Sequence, residues 1–182
     1  MRKKYDQTDQ RIRQAAIEIY SHSNRHRPIT VDTICRKADI HRNTFYTHFD
    51  SVDQLIKGMV EEYLERAHVL SYGRAIGSLP EKREEHRVKA MADLLNYHLD
   101  NRETYLALFT PVRHEHWSSY RLIISKDMLE AKRRLGYDAD ILRPYVGDMC
   151  SAAISEATYR WLLEGREKAE DIAEMFIKTL RL

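Results

Sequence analysis

Apolar positions recur every three to four residues along almost the whole chain, and nowhere do they alternate over the length of a strand. That period puts them on one stripe of a helix. The spacing predicts a first helix from about Thr8 to Ser23, with Ile12, Ala15, Ala16, Ile19 and Tyr20 on its inner face. Pro28 interrupts the pattern. A short second helix follows, with Thr30 as its N-cap, Asp32 in its first turn and Val31, Ile34, Cys35 and Ala38 turned inward. Asp39-Ile40-His41 forms a tight turn into a third helix, about Arg42 to His48. Ser51 and Gln54 have capping-box spacing ahead of a fourth helix that carries Val52, Leu55, Ile56, Met59, Val60, Tyr63, Leu64 and Ala67. That helix is expected to run on towards Gly73 and Gly77.

The remaining pattern is also helical. Ser78-Leu79-Pro80-Glu81 reads as a second capping box before a helix with Val88, Met91, Ala92, Leu95 and Leu99 on its stripe. A short helix spans about Glu103 to Phe109 and stops at Thr110-Pro111. Another runs from about Glu115 to Leu135, with Gly136 as its C-terminal stop. The next begins near Asp140 and carries Val146, Met149, Cys150, Ala153, Ile154, Ala157 and Trp161. A last helix covers about Arg166 to Leu180, with Ile172, Met175, Phe176, Thr179 and Leu180. The expected fold is therefore all-α, about nine helices, with a three-helix head over residues 1–51 and a helical body over residues 52–182.

Charge divides along the same line. The chain of 182 residues has a net charge of only +2. Its first fifty residues hold 10 Lys and Arg against 6 Asp and Glu, and the rest hold 20 against 22. A basic head on an acidic body points to a polyanionic partner for the head. His22, His26, His41 and His48 add charge there on acidification. Cys35 and Cys150 lie far apart on apolar faces and read as reduced core thiols. Residues 1–6 are not followed by an apolar stretch of the secretory kind, and no run approaches the ~18 apolar residues of a membrane span. A cytoplasmic protein without a membrane partner is expected.

The segment Thr30–Leu55 carries the chemistry. Two short helices joined by a tight turn, after a longer supporting helix, form a helix-turn-helix whose second helix enters the major groove of double-stranded DNA. Phe45 and Phe49 are its inward anchors. His41, Arg42, Asn43, Thr44, Tyr46, Thr47 and His48 form the exposed set, which contains no carboxylate to repel phosphate. Arg42 suits guanine and Asn43 adenine. Thr44, Tyr46 and His48 suit phosphate oxygens, and the Thr30 hydroxyl with the first amides of the second helix offers another phosphate contact.

The string ADIHRNTFYTHFDSVDQL resembles the signature of the tetracycline-repressor (TetR) family of transcriptional regulators. Thr44, Tyr46, His48, Phe49, Ser51, Asp53 and Leu55 fit that pattern, over about residues 8–58. Three positions depart from it: Asp39 where the family favours Gly, His41 where Ser usually caps the recognition helix, and Val52 in place of a usual Lys. The resemblance implies a DNA-binding head and a regulatory body whose last two helices pair with those of a second subunit. The homodimer would then match a palindromic operator. Ala153, Ala157, Trp161, Met175 and Phe176 are the expected interface.

The family's mechanism implies a repressor released by a ligand in the body. Tyr97, His98, Tyr105, Phe109, Trp117 and Tyr120 are the pocket residues proposed here, with His114 as a further polar group. Aromatic residues at helical spacing also make ordinary core. Tyr159–Gly165 resembles the end of the eighth helix in a subgroup with a compact body, which does not assure a small-molecule pocket and leaves a protein partner, or constitutive binding, as alternatives for this chain. An activator or a recruiting factor remains the alternative. His114-Glu115-His116 lacks zinc-site spacing, and no enzyme or cofactor motif is present, so no metal, cofactor or catalytic residue is expected.

Overall fold

The computed structural model describes residues 7–22, 29–78, 83–109, 114–138 and 144–182. These form ten helices and no strand among the described residues: α1 (Gln7–His22), α2 (Val31–Ala38), α3 (Arg42–His48), α4 (Val52–Val69), α5 (Tyr72–Ser78), α6 (Glu84–Asp100), α7 (Arg102–Leu108), α8 (His114–Arg134), α9 (Pro144–Glu164) and α10 (Ala169–Leu180). The chain divides into two compact units, residues 1–63 and 64–182, with the division inside α4.

In the first unit the apolar stripes meet as their spacing requires. Ile12, Ala15 and Ala16 of α1, Ile34, Cys35 and Ala38 of α2, Phe45 of α3 and Leu55, Ile56, Met59, Val60 and Tyr63 of α4 are all buried. Ile19, Tyr20 and Val31 are half-buried. Both ends of α2 are closed by local bonds. Thr30 accepts from the Thr33 amide at 3.2 Å, and Thr33 Oγ1 accepts from the Thr30 amide at 3.0 Å. At the other end the Ile40 amide donates to the Cys35 carbonyl at 3.0 Å. Ser51 Oγ accepts from the Gln54 amide at 3.1 Å and so caps α4, but Gln54 turns its own Oε1 to the Asp50 amide at 2.7 Å.

The second unit differs most from its pattern between residues 69 and 78. The long fourth helix stops at Val69. The Ser71 amide bonds back only to His68, three residues away, and the Ser71 carbonyl then starts α5 by accepting from Ala75 at 3.0 Å. The break lets Tyr72 and Ile76 become fully buried. Ser78 thus ends α5 rather than capping α6, and residues 79–82, like Pro28, Thr110, Pro111 and Asp140, lie outside the described residues.

Helices α5 and α9 both pack on α8, α5 also touches α6, α10 lies on α6, and α7 contacts α6 and α9. α8 and α9 approach closely at Gly147, where a Cβ would come within 2.7 Å of Ser125 and 2.8 Å of Leu129. Lys132, buried on α8, donates to the Leu180 carbonyl at 2.9 Å and the Arg181 carbonyl at 3.4 Å. A cation there satisfies two orphan carbonyls at the negative end of α10. Burial lowers the pKa of this ammonium from its ordinary value.

Candidate nucleic-acid interface

The turn between α2 and α3 places Asp39 in the left-handed region, at φ 51. Arg11 of α1 braces the turn by donating to the carbonyls of Ala38 and, at 2.8 Å, Asp39. From there α3 is held by its inner face. The rings of Phe45 and Phe49 lie 5.9 Å apart, and the Arg13 guanidinium stands 5.6 Å from the centre of the Phe49 ring. Arg13 is itself fixed by Asp9 at 2.9 Å and by Glu62 of α4 at 3.4 Å. Asp9 is a buried carboxylate that the sequence pattern did not single out. Its role is to orient this arginine beneath the end of α3.

With both phenylalanines inside, the opposite face of α3 is presented to solvent. His41, Arg42, Asn43, Tyr46 and Thr47 are exposed, and Thr44 and His48 are half-buried. The side chains are partly pre-arranged. Tyr46 sets its ring edge-on to Phe45 at 5.7 Å. Thr47 Oγ1 donates to its own helix at the Thr44 carbonyl, 2.6 Å away, and its oxygen remains an acceptor. Thr30 Oγ1 is engaged in the α2 cap. His41 sits at the N-cap position without a side-chain cap bond. Arg42 donates to Asp32 Oδ1 at 3.1 Å and to the Tyr46 hydroxyl at 3.3 Å. Those two partners, a hydrogen bond to Tyr46 first and the charge of Asp32 second, raise its pKa further.

The body holds an aromatic cluster and, beside it, a cleft. His98 and Tyr120 are buried, with Tyr120 Oη 2.9 Å from His98 Nε2. Burial pushes the His98 pKa down to about 3, so the ring is neutral at pH 7. The same burial raises the Tyr120 phenol. Tyr105 packs on both, 5.1 Å from His98 and 5.5 Å from Tyr120, and Phe109 lies 5.2 Å from Tyr120. Trp117 lies 6.4 Å from Tyr120, and Tyr97 is half-buried beside His98 at 5.8 Å.

The cleft, about 870 Å³, opens between α4, α5 and α8 and is lined by Leu64, Glu65, His68, Gly77, Ile123, Lys126, Asp127, Glu130 and Arg134. A narrow cavity of about 30 Å³ shares Leu64, His68, Ile123 and Asp127 with it and reaches His98 and Tyr120. None of the nine lining residues is a phenylalanine, tyrosine or tryptophan, and they converge from three helices, so linear spacing has no signal for them. The side chains of His114 and Glu115 lie outside the described ones. Among the described residues no group of His, Cys, Asp and Glu is arranged to hold a metal ion.

No protein-family profile matches the chain, and no curated protein does. Solved structures do match over nearly its whole length. A TetR-like transcriptional regulator from Rhodococcus sp. RHA1 superposes with a TM-score of 0.70 at 18% identity, covering 96% of both chains. The fatty acid degradation regulator FadR from Bacillus halodurans gives 0.69 at 15% identity, covering 98% of this chain and 96% of its own. The dihydroxyacetone kinase operon activator DhaS gives 0.63 at 17% identity, covering 97% and 96%.

The chain has the TetR-regulator fold.

Within that TetR fold, the three departures from the family signature have distinct local consequences. Asp39 takes the left-handed turn that glycine would enter without strain. His41 occupies the N-cap position without capping. Val52 opens α4 as a half-buried residue and provides no cation.

The α9–α10 residues separate into two groups. Trp161 and Phe176 are buried within this chain, 7% and 3% exposed, and belong to its core. Trp161 also spends its indole N–H on the Glu167 carbonyl at 3.1 Å. Ala153 is exposed, Ala157 is half-buried and Met175 is 44% exposed. The inner face of α9 is instead carried by Cys150, Ile154, Thr158, Trp161 and Leu162. Met149, at 68% exposure, turns outward with Tyr145 and Leu163. At 100° per residue these three and Ala153 fall on one outward stripe. Both cysteines are buried free thiols.

Among the described residues no helix is long and apolar enough to cross a membrane.

Proposed function

We propose that this protein is a transcriptional regulator that binds a palindromic operator in double-stranded DNA as a homodimer, with α3 as its recognition helix. The observation that carries this reading is the face of α3. Arg42, Asn43, Tyr46 and Thr47 are all exposed on a helix anchored from behind by Phe45 and Phe49, and no carboxylate lies within the helix. Such a face offers a bidentate donor for guanine, an amide for adenine and hydroxyls for phosphate. One head spans one half-site, which is the argument for a two-fold pair. The outward stripe of Tyr145, Met149, Ala153 and Leu163 on α9, with Met175 on α10, is the surface we assign to the partner subunit.

Repression relieved by a small molecule is the mode of control we favour, because the body has a cleft of a size suited to one. An effector acts only if it binds the two states of the dimer unequally. Activation is the second reading. DhaS, with a TM-score of 0.63, is described as an operon activator, and promoter geometry rather than fold separates the two modes.

The test is a titration of the full-length chain onto the DNA upstream of its own coding region, by fluorescence anisotropy at several salt concentrations, beside Tyr46→Ala. Tight, salt-dependent binding that Tyr46→Ala weakens supports the reading. Equal binding by the wild type and the variant would rule out α3 as the reader.

A further inference from the structure

The reader helix contains no carboxylate, yet one stands against it. Asp32 lies in the first turn of α2, ten residues before Arg42, and its Oδ1 is 3.1 Å from Arg42 Nη1. Both side chains are open to solvent, at 59% for Arg42 and 63% for Asp32. An exposed pair of this kind adds little to folding stability. It also places a negative charge where a DNA-binding surface would gain affinity by having none. The pair is not isolated: Arg42 Nη2 reaches the Tyr46 hydroxyl at 3.3 Å, and the guanidinium carbon lies 5.8 Å from the centre of the Tyr46 ring. Two acceptors, one from each helix of the motif, therefore hold the two terminal nitrogens of one planar group.

We propose that Asp32 is a specificity-determining residue: it positions the Arg42 guanidinium for a base edge and keeps it off the phosphate backbone. This rests on α3 being the DNA reader. An unrestrained arginine facing a duplex finds the nearest phosphate, a contact that carries no sequence information. A guanidinium has five N–H donors. With one donated to Asp32 and one to Tyr46, enough remain for a two-point contact, but the plane can no longer swing freely. Guanine is the base whose major-groove edge offers two acceptors, O6 and N7, to such a fork. The Asp32 carboxylate adds a second filter, because it repels any phosphate that approaches Arg42 from the α2 side. Asp32 thus lowers overall affinity and sharpens the choice of base. It is a positioning residue, acting through Arg42.

The experiment is selection from a randomised duplex library with the full-length chain, followed by anisotropy on the selected site over a salt series. The proteins are wild type, Asp32→Ala, Asp32→Asn, Arg42→Lys and the double variant Asp32→Ala/Arg42→Lys, each checked for helicity. Wild type should enrich a guanine in each half-site. Asp32→Ala should reduce the preference for that guanine about fivefold to tenfold. It should also bind random duplex more tightly, with a salt slope steeper by about one as Arg42 gains a phosphate. Asp32→Asn keeps an acceptor without the charge and should shift in the same direction by less. It also provides the test should the alanine variant fold poorly. Arg42→Lys cannot make the two-point contact, so adding Asp32→Ala to it should leave base preference where Arg42→Lys alone put it.

Retention of the guanine preference in both Asp32 variants would overturn the proposal, as would an equal loss of affinity for all sequences. If wild type enriches no sequence at all, the reading of α3 as a DNA reader falls, and the role of Asp32 falls with it. A guanine enriched by wild type and indifferent to Asp32 overturns only the latter.

Discussion

Gly165 lies against Trp161 so closely that a Cβ on it would sit 2.2 Å from the Trp161 carbonyl oxygen and 2.4 Å from Cδ1 of its ring. The Gly165 amide bonds to that same carbonyl at 2.6 Å, closing the end of α9. The indole is buried and anchored by its bond to Glu167, so it cannot yield without disturbing the turn into α10. Gly165→Ala should therefore cost about 1–3 kcal/mol, as overpacking does, with less than about 1 kcal/mol recovered from the stiffer unfolded chain. Urea denaturation followed by tryptophan fluorescence measures the difference. A variant as stable as wild type would mean that the contact is not close in solution.

Acid should destabilise the body through His98. The folded chain keeps this imidazole neutral down to about pH 3, while the unfolded chain protonates it near its ordinary value of 6.5. Between those limits the unfolded state binds more protons, so stability rises with pH and is complete above about 6.5. At ~1.4 kcal/mol per pH unit, His98 should account for a loss of about 2 kcal/mol between pH 6.5 and pH 5. The double variant His98→Phe/Tyr120→Phe removes both partners of the 2.9 Å bond and should flatten that part of the stability–pH curve. An unchanged curve would show that His98 is not sealed from water.

At Asp39 a substitution should help. A side chain at φ 51 is held in a region where L-residues are strained, and its carboxylate is fully exposed with only a 3.8 Å approach to Arg11. Asp39→Gly removes the strain and retains the bond that Arg11 makes to the Asp39 carbonyl at 2.8 Å. The greater freedom of glycine in the unfolded chain offsets part of the gain, so a stabilisation of about 0.5 kcal/mol is expected. The check is a higher urea midpoint at unchanged slope. A lower midpoint would mean that the aspartate side chain contributes more to the turn than its backbone strain costs.

The partner surface predicts a change in mass. Met149→Lys, on the most exposed large apolar residue of α9, should turn dimers into monomers in sedimentation velocity while helicity is kept. Trp161→Asp is a poor test of the same surface, because it buries an unpaired charge in the core and should unfold the chain. Monomeric wild-type protein, or a dimer that tolerates Met149→Lys, would remove the α9 stripe from the interface.

The local sequence alone determined the helices of the head and the face of each. Ile12, Ala16, Ile34, Ala38, Phe45 and Leu55 are all buried where a 3.6-residue period puts them. The cap at Thr30 and the turn at Asp39 set the limits of α2 and the start of α3, so these two helices and the exposed His41, Arg42, Asn43, Tyr46 and Thr47 were legible in the sequence. The body was less so. Its helices have apolar residues on more than one side, and periodicity could not say which side faced inward. Leu99 and Met149 came out exposed, while His98 and Lys132 went in.

What the tertiary structure decided depends on distance through space. The break at Val69–Tyr72 follows from the space available to Tyr72 and Ile76. The cleft is a gap between three helices, and a gap has no residue pattern. Asp32 meets Arg42 only because the turn at Asp39 folds α3 back across α2. Spacing along one helix identifies the residues that share a face, whereas contacts between helices depend on crossing and on the volume of every side chain in between.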